Sequence, residues 1–397
     1  MYSLLLVIIY LAFISLGLPD SLIGSAWPIM HLELDVPISY AGIITMIISF
    51  GTIISSLMSD RLTKRFGANL VTATSVLMTA VALWGYSISS KFWMLCVFAI
   101  PYGLGAGGVD AALNNYVALH YKARHMSWLH CFWGVGASIS PYIMGYSLTT
   151  RLSWPGGFRI VSVIQLTLTA ALFLTLPLWK INKNSKEKAV KQPKRFNELF
   201  QIKGLPLILI AFFCYCAAES TAMLWSSSYL VKFRNMGEEI AAMLASLFFL
   251  GITFGRFVSG FISEKLGDKN MIRLGVSIMF IGISLIAIPD KYNICSMIGL
   301  VVTGLGCAPV YPSIIHSTPQ NFGKENSQAI IGVQMASAYM ASTFMPPLFG
   351  LLAQVKLIGL FPLYLFFFTM LLLIMTERLN KVVAITNEKK ANGLNDQ

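Results

Sequence analysis

The segment YLAFISLGLPDS, Tyr10–Ser21, recurs in altered form as LIAFFCYCAAES, Leu209–Ser220. The alignment sets Asp20 against Glu219, and each acid lies in an otherwise apolar run. A charged side chain at the centre of a bilayer costs about 2.5 to 3.5 kcal/mol on insertion scales, so such residues are rare and usually functional. Two acids at matching positions therefore indicate a duplicated membrane protein that uses them.

Other segments repeat in the same way, and all the offsets fall between 199 and 205 residues. The further pairs are GTIISSLMSDRLTKRFG from Gly51 with GRFVSGFISEKLG from Gly255, GLGAGG from Gly103 with GLGCAP from Gly304, and PYIMG from Pro141 with PPLFG from Pro346. A duplication of six spans is typical of secondary transporters, whose substrate site lies near the bilayer midplane between the repeats.

The composition agrees, because 56% of the 397 residues are hydrophobic and only 12% are charged, about half the charged share of a soluble domain. Each apolar run is about the length that a membrane-spanning helix needs. The runs lie at 4–28, 38–59, 68–89, 92–119, 126–149, 158–179, 205–230, 239–263, 270–289, 293–316, 327–353 and 357–376. We therefore predict an all-α membrane protein with twelve transmembrane helices in two pseudo-symmetric six-helix bundles.

A polar, basic segment, 180–204, separates the two sets of spans. We predict an N-terminal bundle at 1–179, a cytoplasmic linker at 180–204, a C-terminal bundle at 205–376 and a cytoplasmic tail at 377–397. With both termini in the cytoplasm, 21 Lys and Arg residues lie inside and 7 outside, which satisfies the positive-inside rule for a multi-pass protein of the inner (plasma) membrane. The net charge of +12 fits an anionic leaflet, so no nucleic-acid partner is predicted.

Twelve spans, the basic central segment and the Asp60–Gly67 pattern resemble the major facilitator superfamily. The segments Gly103–Pro141, with GLGAGGVDAALNNY and LHCFWGVG, and Ala217–Leu230, AAESTAMLWSSSYL, are similar to its fucose permease-like sugar:proton symporter branch. The resemblance implies that Asp20 and Asp110 take part in proton coupling and sugar binding. Trp133 stands where fucose permease has an Asn, so the identity of the substrate does not carry over.

The fourth and fifth spans are joined by a short turn near Lys122, so residues equidistant from it lie at similar depth. Asp110 is then level with Trp133, and Asn114 and Asn115 are level with His130. Burial raises the proton affinity of an aspartate and lowers that of a histidine, which moves both toward the range in which protons exchange at neutral pH. The proton-coupling candidates are Asp20, Asp110, Glu219 and His130; the alternative is that these groups are neutral or hydrogen-bonded and only fix helix packing.

Several polar and aromatic side chains are candidates for binding the solute, because an indole offers a flat face to sugar C–H groups and an N–H to a hydroxyl. The candidates are Asn114, Asn115, Trp133, Trp225, Gln334, Tyr311 and Tyr339. For the last three, hydrogen bonding between helices is an equal alternative.

Charged residues at the predicted cytoplasmic ends of the spans are expected to act in gating, by pairing in one conformer and separating in the other. They are Asp60, Arg61, Arg65, Glu264 and Lys265. We expect Arg256 to be structural, His31 and His316 to be solvated, and Trp27 to be an interfacial anchor. The cysteines lack metal or redox spacing, and GLGAGG is expected to permit close helix contact.

These features predict a secondary active transporter that couples protons, in preference to sodium, to symport of a sugar or sugar-like polar solute by alternating access. The alternative is a proton-coupled exporter (antiporter) of drugs or metabolites, since efflux carriers share the fold and also use intramembrane acids. The sequence has no zinc-protease pair and no nucleophile constellation, so we predict neither an enzyme nor a cofactor. The expected partners are the solute, the proton and the bilayer, and the protein is expected to be a monomer.

Overall fold

The computed structural model describes residues 2–182, 196–289 and 293–391, and within these ranges the regular structure is helical. The α-helices are α1 Tyr2–Asp20, α2 Leu22–Glu33, α3 Ala41–Phe66, α4 Ala68–Ser87, α5 Phe92–His120, α6 Ala123–Thr149, α7 Ser153–Leu174, α8 Phe196–Phe200, α9 Leu205–Lys232, α10 Glu238–Ala287, α11 Ile294–Phe322, α12 Lys324–Gln354 and α13 Phe361–Ala391. Short 3-10 helices lie at Ile38–Tyr40, Leu176–Asn182 and Ile358–Leu360. Parts of the predicted linker, 183–195, and of the predicted tail, 392–397, lie outside the described residues.

The described helices account for the twelve predicted spans and confirm the all-α membrane fold. Together α1 and α2 form one span, whereas α10 forms two spans that meet at Gly267, where φ is 73°. The long helices α6 and α12 are less apolar than the other spans. They are the fifth span of each repeat and carry many polar side chains, including His130 and Gln334.

The break between α1 and α2 follows from Pro19, which has no N–H and cannot donate to the carbonyl of Ser15. That carbonyl instead accepts a 2.6 Å hydrogen bond from Nε2 of Gln165 on α7. The other amide atom of Gln165 accepts from the Thr79 hydroxyl at 2.9 Å, so the buried amide is satisfied at both ends. Pro19 thus ends α1 at Asp20 and places a carboxylate at the break in the span.

The second span is longer than predicted, because α3 continues to Phe66 and ends at Gly67, where φ is 85°. Asp60 was expected in a loop, but it lies within α3, before the end of the helix at Phe66. Its side chain is buried, and its Oδ2 accepts a hydrogen bond from Nζ of Lys64 at 2.9 Å. A pair spaced i, i+4 stabilises the helix in which it lies. This spacing explains why the helix persists through a segment rich in charge.

The chain divides into two compact units, the first comprising Met1–Val117 and Trp128–Pro193, and the second Ala118–Ser127 and Lys194–Gln397. The segment Ala118–Ser127, which contains the turn between α5 and α6, belongs to the second unit. Lys122 and Arg124 of this segment form ion pairs with Glu264 on α10. The predicted domain bounds stay a prediction.

Glycines of the repeated GLG segments allow the same close helix contact in each unit. A Cβ at Gly103 would overlap the carbonyl oxygen of Ile48, where α5 meets α3, and a Cβ at Gly304 would overlap the carbonyl oxygen of Phe248, where α11 meets α10. Small residues are favoured at membrane helix contacts because they let backbones approach. The expectation that GLGAGG serves helix packing is confirmed.

A second close contact joins α1 to α6 within the first unit. A Cβ at Gly17 would overlap the Trp133 carbonyl oxygen, and a Cβ at Gly136 would overlap the Ile14 carbonyl oxygen. The backbones of the two helices are therefore in direct contact at these two glycines. Three residues after Gly17 comes Asp20, so the crossing fixes where its carboxylate lies.

Substituting Gly17→Ala or Gly136→Ala should push α1 and α6 apart, since overpacking a close contact costs about 1 to 3 kcal/mol. We expect the thermal unfolding midpoint of the full chain, measured in lipid nanodiscs, to fall by several degrees. Gly24→Ala and Gly145→Ala are matched controls, because a Cβ at either position meets nothing within 4 Å. Equal midpoints for the test and control variants would contradict the tight crossing.

Candidate functional site

Asp20, at the C-terminal end of α1, is held by side chains from two other helices. Nε1 of Trp133 on α6 donates to its Oδ2 at 2.9 Å, and the hydroxyl of Tyr102 on α5 donates to its Oδ1 at 3.2 Å. Asp20 is exposed, whereas Tyr102 is only 4% exposed. Both donors are uncharged, and among the described residues Asp20 forms no ion pair. The carboxylate is therefore fixed in position without a cation to neutralise it.

Asp110, on α5, lies in a buried chain of hydrogen bonds. Nδ2 of Asn114 donates to its Oδ1 at 2.7 Å and to its backbone carbonyl at 3.0 Å. Nε2 of His130 on α6 lies 3.0 Å from Oδ1 of Asn114. Because the Asn114 oxygen accepts, the ring presents an N–H at Nε2. The amide thus connects a buried acid to a buried histidine.

The depth argument from the sequence predicted this cluster, and the structure brings Asp110, Asn114 and His130 together. Asn115 is also buried, at 6% exposed. The edge of Phe13 on α1 packs on the His130 ring, with the ring centroids 5.3 Å apart. The three helices α1, α5 and α6 therefore build one site that contains two acids.

The two acids of this site are connected through one helix. Tyr102, which donates to Asp20, and Asp110 both lie on α5. Like charges in a medium of low dielectric constant repel, so two ionised carboxylates in one site are costly.

Glu219, the counterpart of Asp20 in the repeat, has a different environment in the second unit. Its Oε1 accepts from the Tyr215 hydroxyl at 2.8 Å and from Nη2 of Arg256 on α10 at 3.3 Å. Arg256 is 3% exposed, so the ion pair lies inside the helices of this unit. Arg256 thus supplies a counter-charge for this carboxylate, and the proton-coupling role of Glu219 stays a prediction.

The solute-binding candidates of the second unit are mostly engaged in helix contacts. Nε1 of Trp225 donates to the Pro346 carbonyl at 2.9 Å, and its ring packs edge-to-face with Phe349, with the centroids 5.6 Å apart. Gln334 is completely buried and accepts from the Thr318 hydroxyl at 3.0 Å, which is the helix–helix alternative. The half-buried Tyr311 donates to the Met335 sulfur at 3.3 Å, and Tyr339 is also half-buried.

The predicted gating residues form contacts within each unit. The Asp60 pair with Lys64 was described above, and the guanidinium of Arg65 lies 5.2 Å from the ring centroid of Phe66. Glu264 is bonded to Lys122 at 3.2 Å and to Arg124 at 3.0 Å, both from the turn between α5 and α6. Arg61 and Lys265 are exposed.

Some expectations for aromatic and histidine residues were wrong. Trp27 is buried and donates to the Ile38 carbonyl at 2.6 Å, so it closes the connection after α2 and is not an interfacial anchor. His316 is 9% exposed and bonded to Asp268, so it is not solvated, while His31 is half-buried. Asp268 pairs with His316 because α10 turns at Gly267, a contact that local sequence does not reveal.

Two tyrosines of the site were not among the predicted residues. Tyr215 lies four residues before Glu219 on the same helix face, and that spacing is the signal that could have found it. Tyr102 donates to Asp20 on another helix, a contact that no local spacing indicates. No group of three or more His, Cys, Asp or Glu side chains suited to a metal occurs among the residues the structure describes.

Three curated relatives cover much of this chain. Bypass of stop codon protein 6 of Saccharomyces cerevisiae is 23% identical over 394 residues, covering 88% of this chain and 77% of that protein. The Hexuronate transporter of Bacillus subtilis is 24% identical over 279 residues, 66% of each chain. The class B Tetracycline resistance protein of Escherichia coli is 23% identical over 247 residues, 60% of each chain.

Solved structures show the same fold. A variant of the E. coli fucose:proton symporter FucP superposes with a TM-score of 0.73 at 16% identity, covering 95% of this chain and 98% of that one. The proton:xylose symporter XylE superposes with a TM-score of 0.78 at 12% identity, covering 95% of both. The sequence itself matches the Major Facilitator Superfamily over residues 9–290 and again over 235–394. With the twelve-span fold, this match shows that the chain belongs to the Major Facilitator Superfamily of transporters.

Proposed function

We propose that the protein is a proton-coupled symporter of a sugar or sugar-like polar solute that works by alternating access. The observation that carries the proposal is the pair of acids in the first unit, Asp20 and Asp110, which α1, α5 and α6 bring into one site. Each accepts hydrogen bonds from uncharged donors, Trp133 and Tyr102 in one case and Asn114 in the other. One acid is exposed and the other is buried.

Asp110 is buried, so its negative charge is costly. A carboxylate inside a membrane protein is expensive unless a cation or a proton neutralises it. Protonation removes the charge from Asp110, and its carbonyl oxygen can still accept from Asn114. In this proposal the carrier reorients readily with Asp110 protonated, and His130 holds the Asn114 amide that donates to Asp110. Asn114, predicted as a solute ligand, acts instead as the connector of the cluster.

The solute is proposed to bind at Asp20. A carboxylate accepts hydrogen bonds from hydroxyl groups, and the indole of Trp133 presents an apolar face beside it. A solute hydroxyl can replace the Tyr102 or Trp133 donor at Asp20, so solute binding and the charge of the acid pair become linked. The similarity to a fucose symporter, a xylose symporter and the Hexuronate transporter supports a sugar or a sugar acid.

The alternative function is proton-coupled export of drugs or metabolites. The observation in its favour is the half-exposed indole of Trp133 next to an exposed acid, which also suits a flat, cationic compound. The tetracycline resistance relative supports the same alternative. Both functions use the same acids, and they differ in the direction in which solute and proton move.

The Glu219–Arg256 pair is proposed to act as a fixed structural charge pair in the second unit. The distribution of Lys and Arg supports a plasma-membrane protein with both termini in the cytoplasm. We propose a monomer, since each unit holds its own polar cluster.

In proteoliposomes with a pH gradient of one unit, acidic outside, a carrier of one proton per solute should accumulate its solute about tenfold. In the Asp110→Asn variant the ratio of internal to external solute should stay near one, because the amide cannot bind or release the coupled proton. Exchange of internal for external solute (counterflow) should persist, because the amide resembles the protonated acid. The measurement is uptake of labelled hexoses, pentoses and hexuronates. Asp35→Asn is the matched control, since Asp35 is exposed at the end of α2.

Accumulation by Asp110→Asn at the wild-type level would contradict proton coupling at this residue, and loss of counterflow as well would indicate a structural role. Two results in the same vesicles would establish the exporter instead. Sugars would show no uptake, and the pH gradient would drive a lipophilic cation out of the vesicles.

Replacing either member of the Glu219–Arg256 pair by Gln should destabilise the protein by about 3 to 5 kcal/mol, because the remaining buried charge has lost its counter-charge. The double variant should lose less free energy of unfolding than the two single variants lose in sum. Thermal unfolding in nanodiscs measures this coupling. The exposed pair Arg273–Glu377 is the matched control, with an expected coupling of about 0 to 1 kcal/mol. Additive effects at Glu219 and Arg256 would show that the pair is not coupled.

A further inference from the structure

His316 on α11 has a hydrogen-bond acceptor at each of its two ring nitrogens. Nδ1 lies 2.7 Å from Oδ2 of Asp268 on α10, and Nε2 lies 3.3 Å from the backbone carbonyl oxygen of Tyr121. The ring is 9% exposed, so water has little access to either nitrogen. All three residues belong to the second unit, which includes the turn Ala118–Ser127.

The chemistry of the partners determines the form of the ring. A carboxylate and a carbonyl can only accept, and a neutral imidazole has one N–H to donate. Only the doubly protonated ring donates to both partners at once. The second carboxylate oxygen, Oδ1 of Asp268, is buried and has no hydrogen-bond donor among the described residues. His316 is therefore the group that compensates this carboxylate.

We propose that His316 is a proton-binding site that fastens the Ala118–Ser127 turn to α10 and α11. This site goes beyond the proposed symport mechanism, which places the transported proton at Asp110 and the solute at Asp20. With the proton bound, His316 connects Asp268 to the Tyr121 backbone. Without it, one of the two nitrogens presents a lone pair to an acceptor, and one connection is lost.

The turn has other attachments, and these are weaker. Lys122 and Arg124 pair with Glu264, but their side chains are 66% and 42% exposed, and exposed ion pairs contribute little because water screens them. The buried hydrogen bonds of a charged ring are stronger. The proton on His316 therefore has a large share in holding the turn.

The consequence for pH follows directly. At low pH the ring carries both protons and donates to both Asp268 and the Tyr121 carbonyl. As the pH rises the ring loses one proton, and one of these two hydrogen bonds is lost. Asp268 and the Tyr121 carbonyl are the groups that act on the ring. Two other histidines belong to the segment Ala118–Ser127 and need controls. They are His125, whose ring packs on Tyr121 with the centroids 5.6 Å apart, and His120 at the end of α5.

The turn matters for transport because it joins the two helices that carry the acid cluster. Asp110 and Asn114 lie on α5, and His130 and Trp133 lie on α6. Fastening the turn restrains the ends of both helices. A proton at His316 can thus influence the mobility of the cluster without being transported.

Hydrogen–deuterium exchange of the full chain in nanodiscs tests this proposal without a transport assay. Protection of the 118–127 backbone, corrected for the intrinsic pH dependence of exchange, should fall about tenfold between pH 6 and pH 8, as expected for loss of a charged hydrogen bond. His316→Gln should show the low protection at both pH values. His125→Gln and His120→Gln should respond to pH as the wild type does.

Asp268→Asn provides a second arm that does not depend on His316→Gln folding. The Asn amide can donate to Nδ1 of a neutral ring, whose Nε2–H still donates to Tyr121, so protection should be high and independent of pH. Wild-type protection that does not change with pH would overturn the proposal. A pH response retained in Asp268→Asn, or lost in His125→Gln, would also overturn it by assigning the titration to another group.

Discussion

The close crossing of α1 and α6 at Gly17 and Gly136 is the constraint on which the acid site depends. Because neither glycine has a side chain, the backbones meet, and Asp20 comes within hydrogen-bonding distance of Trp133. Pro19 ends α1 at the same place, and the carbonyl that it leaves without an intrahelical donor is satisfied by Gln165. A glycine, a proline and an aspartate within four positions thus build a fixed carboxylate inside a membrane span.

The two units derive from one repeat but surround the matching acids, Asp20 and Glu219, differently. In the first unit Asp20 accepts hydrogen bonds from an indole and a phenol, both uncharged. In the second unit Glu219 has the guanidinium of Arg256. A proton is the natural neutralising partner of an acid with uncharged donors, whereas a guanidinium already neutralises its acid. This difference is why the proposed proton chemistry is confined to the first unit.

Much of the fold could be predicted because apolar run length, repeats and small-residue contacts are local or periodic signals. The depth argument also brought Asp110, Asn114 and His130 together, since a short turn fixes the register of two helices. Other contacts could not be predicted, because they depend on how distant helices pack. The Glu219–Arg256 pair, the Gln165 bridge and the His316–Asp268 pair each join segments that are 37 or more residues apart.

Proton movement that accompanies the solute tests the central claim most directly. Solute added to a weakly buffered suspension of proteoliposomes, with no imposed gradient, should enter together with protons and make the external medium more alkaline. The account predicts about one proton taken up for each solute molecule that enters. Solute entry without a change in external pH, or with acidification, would contradict it.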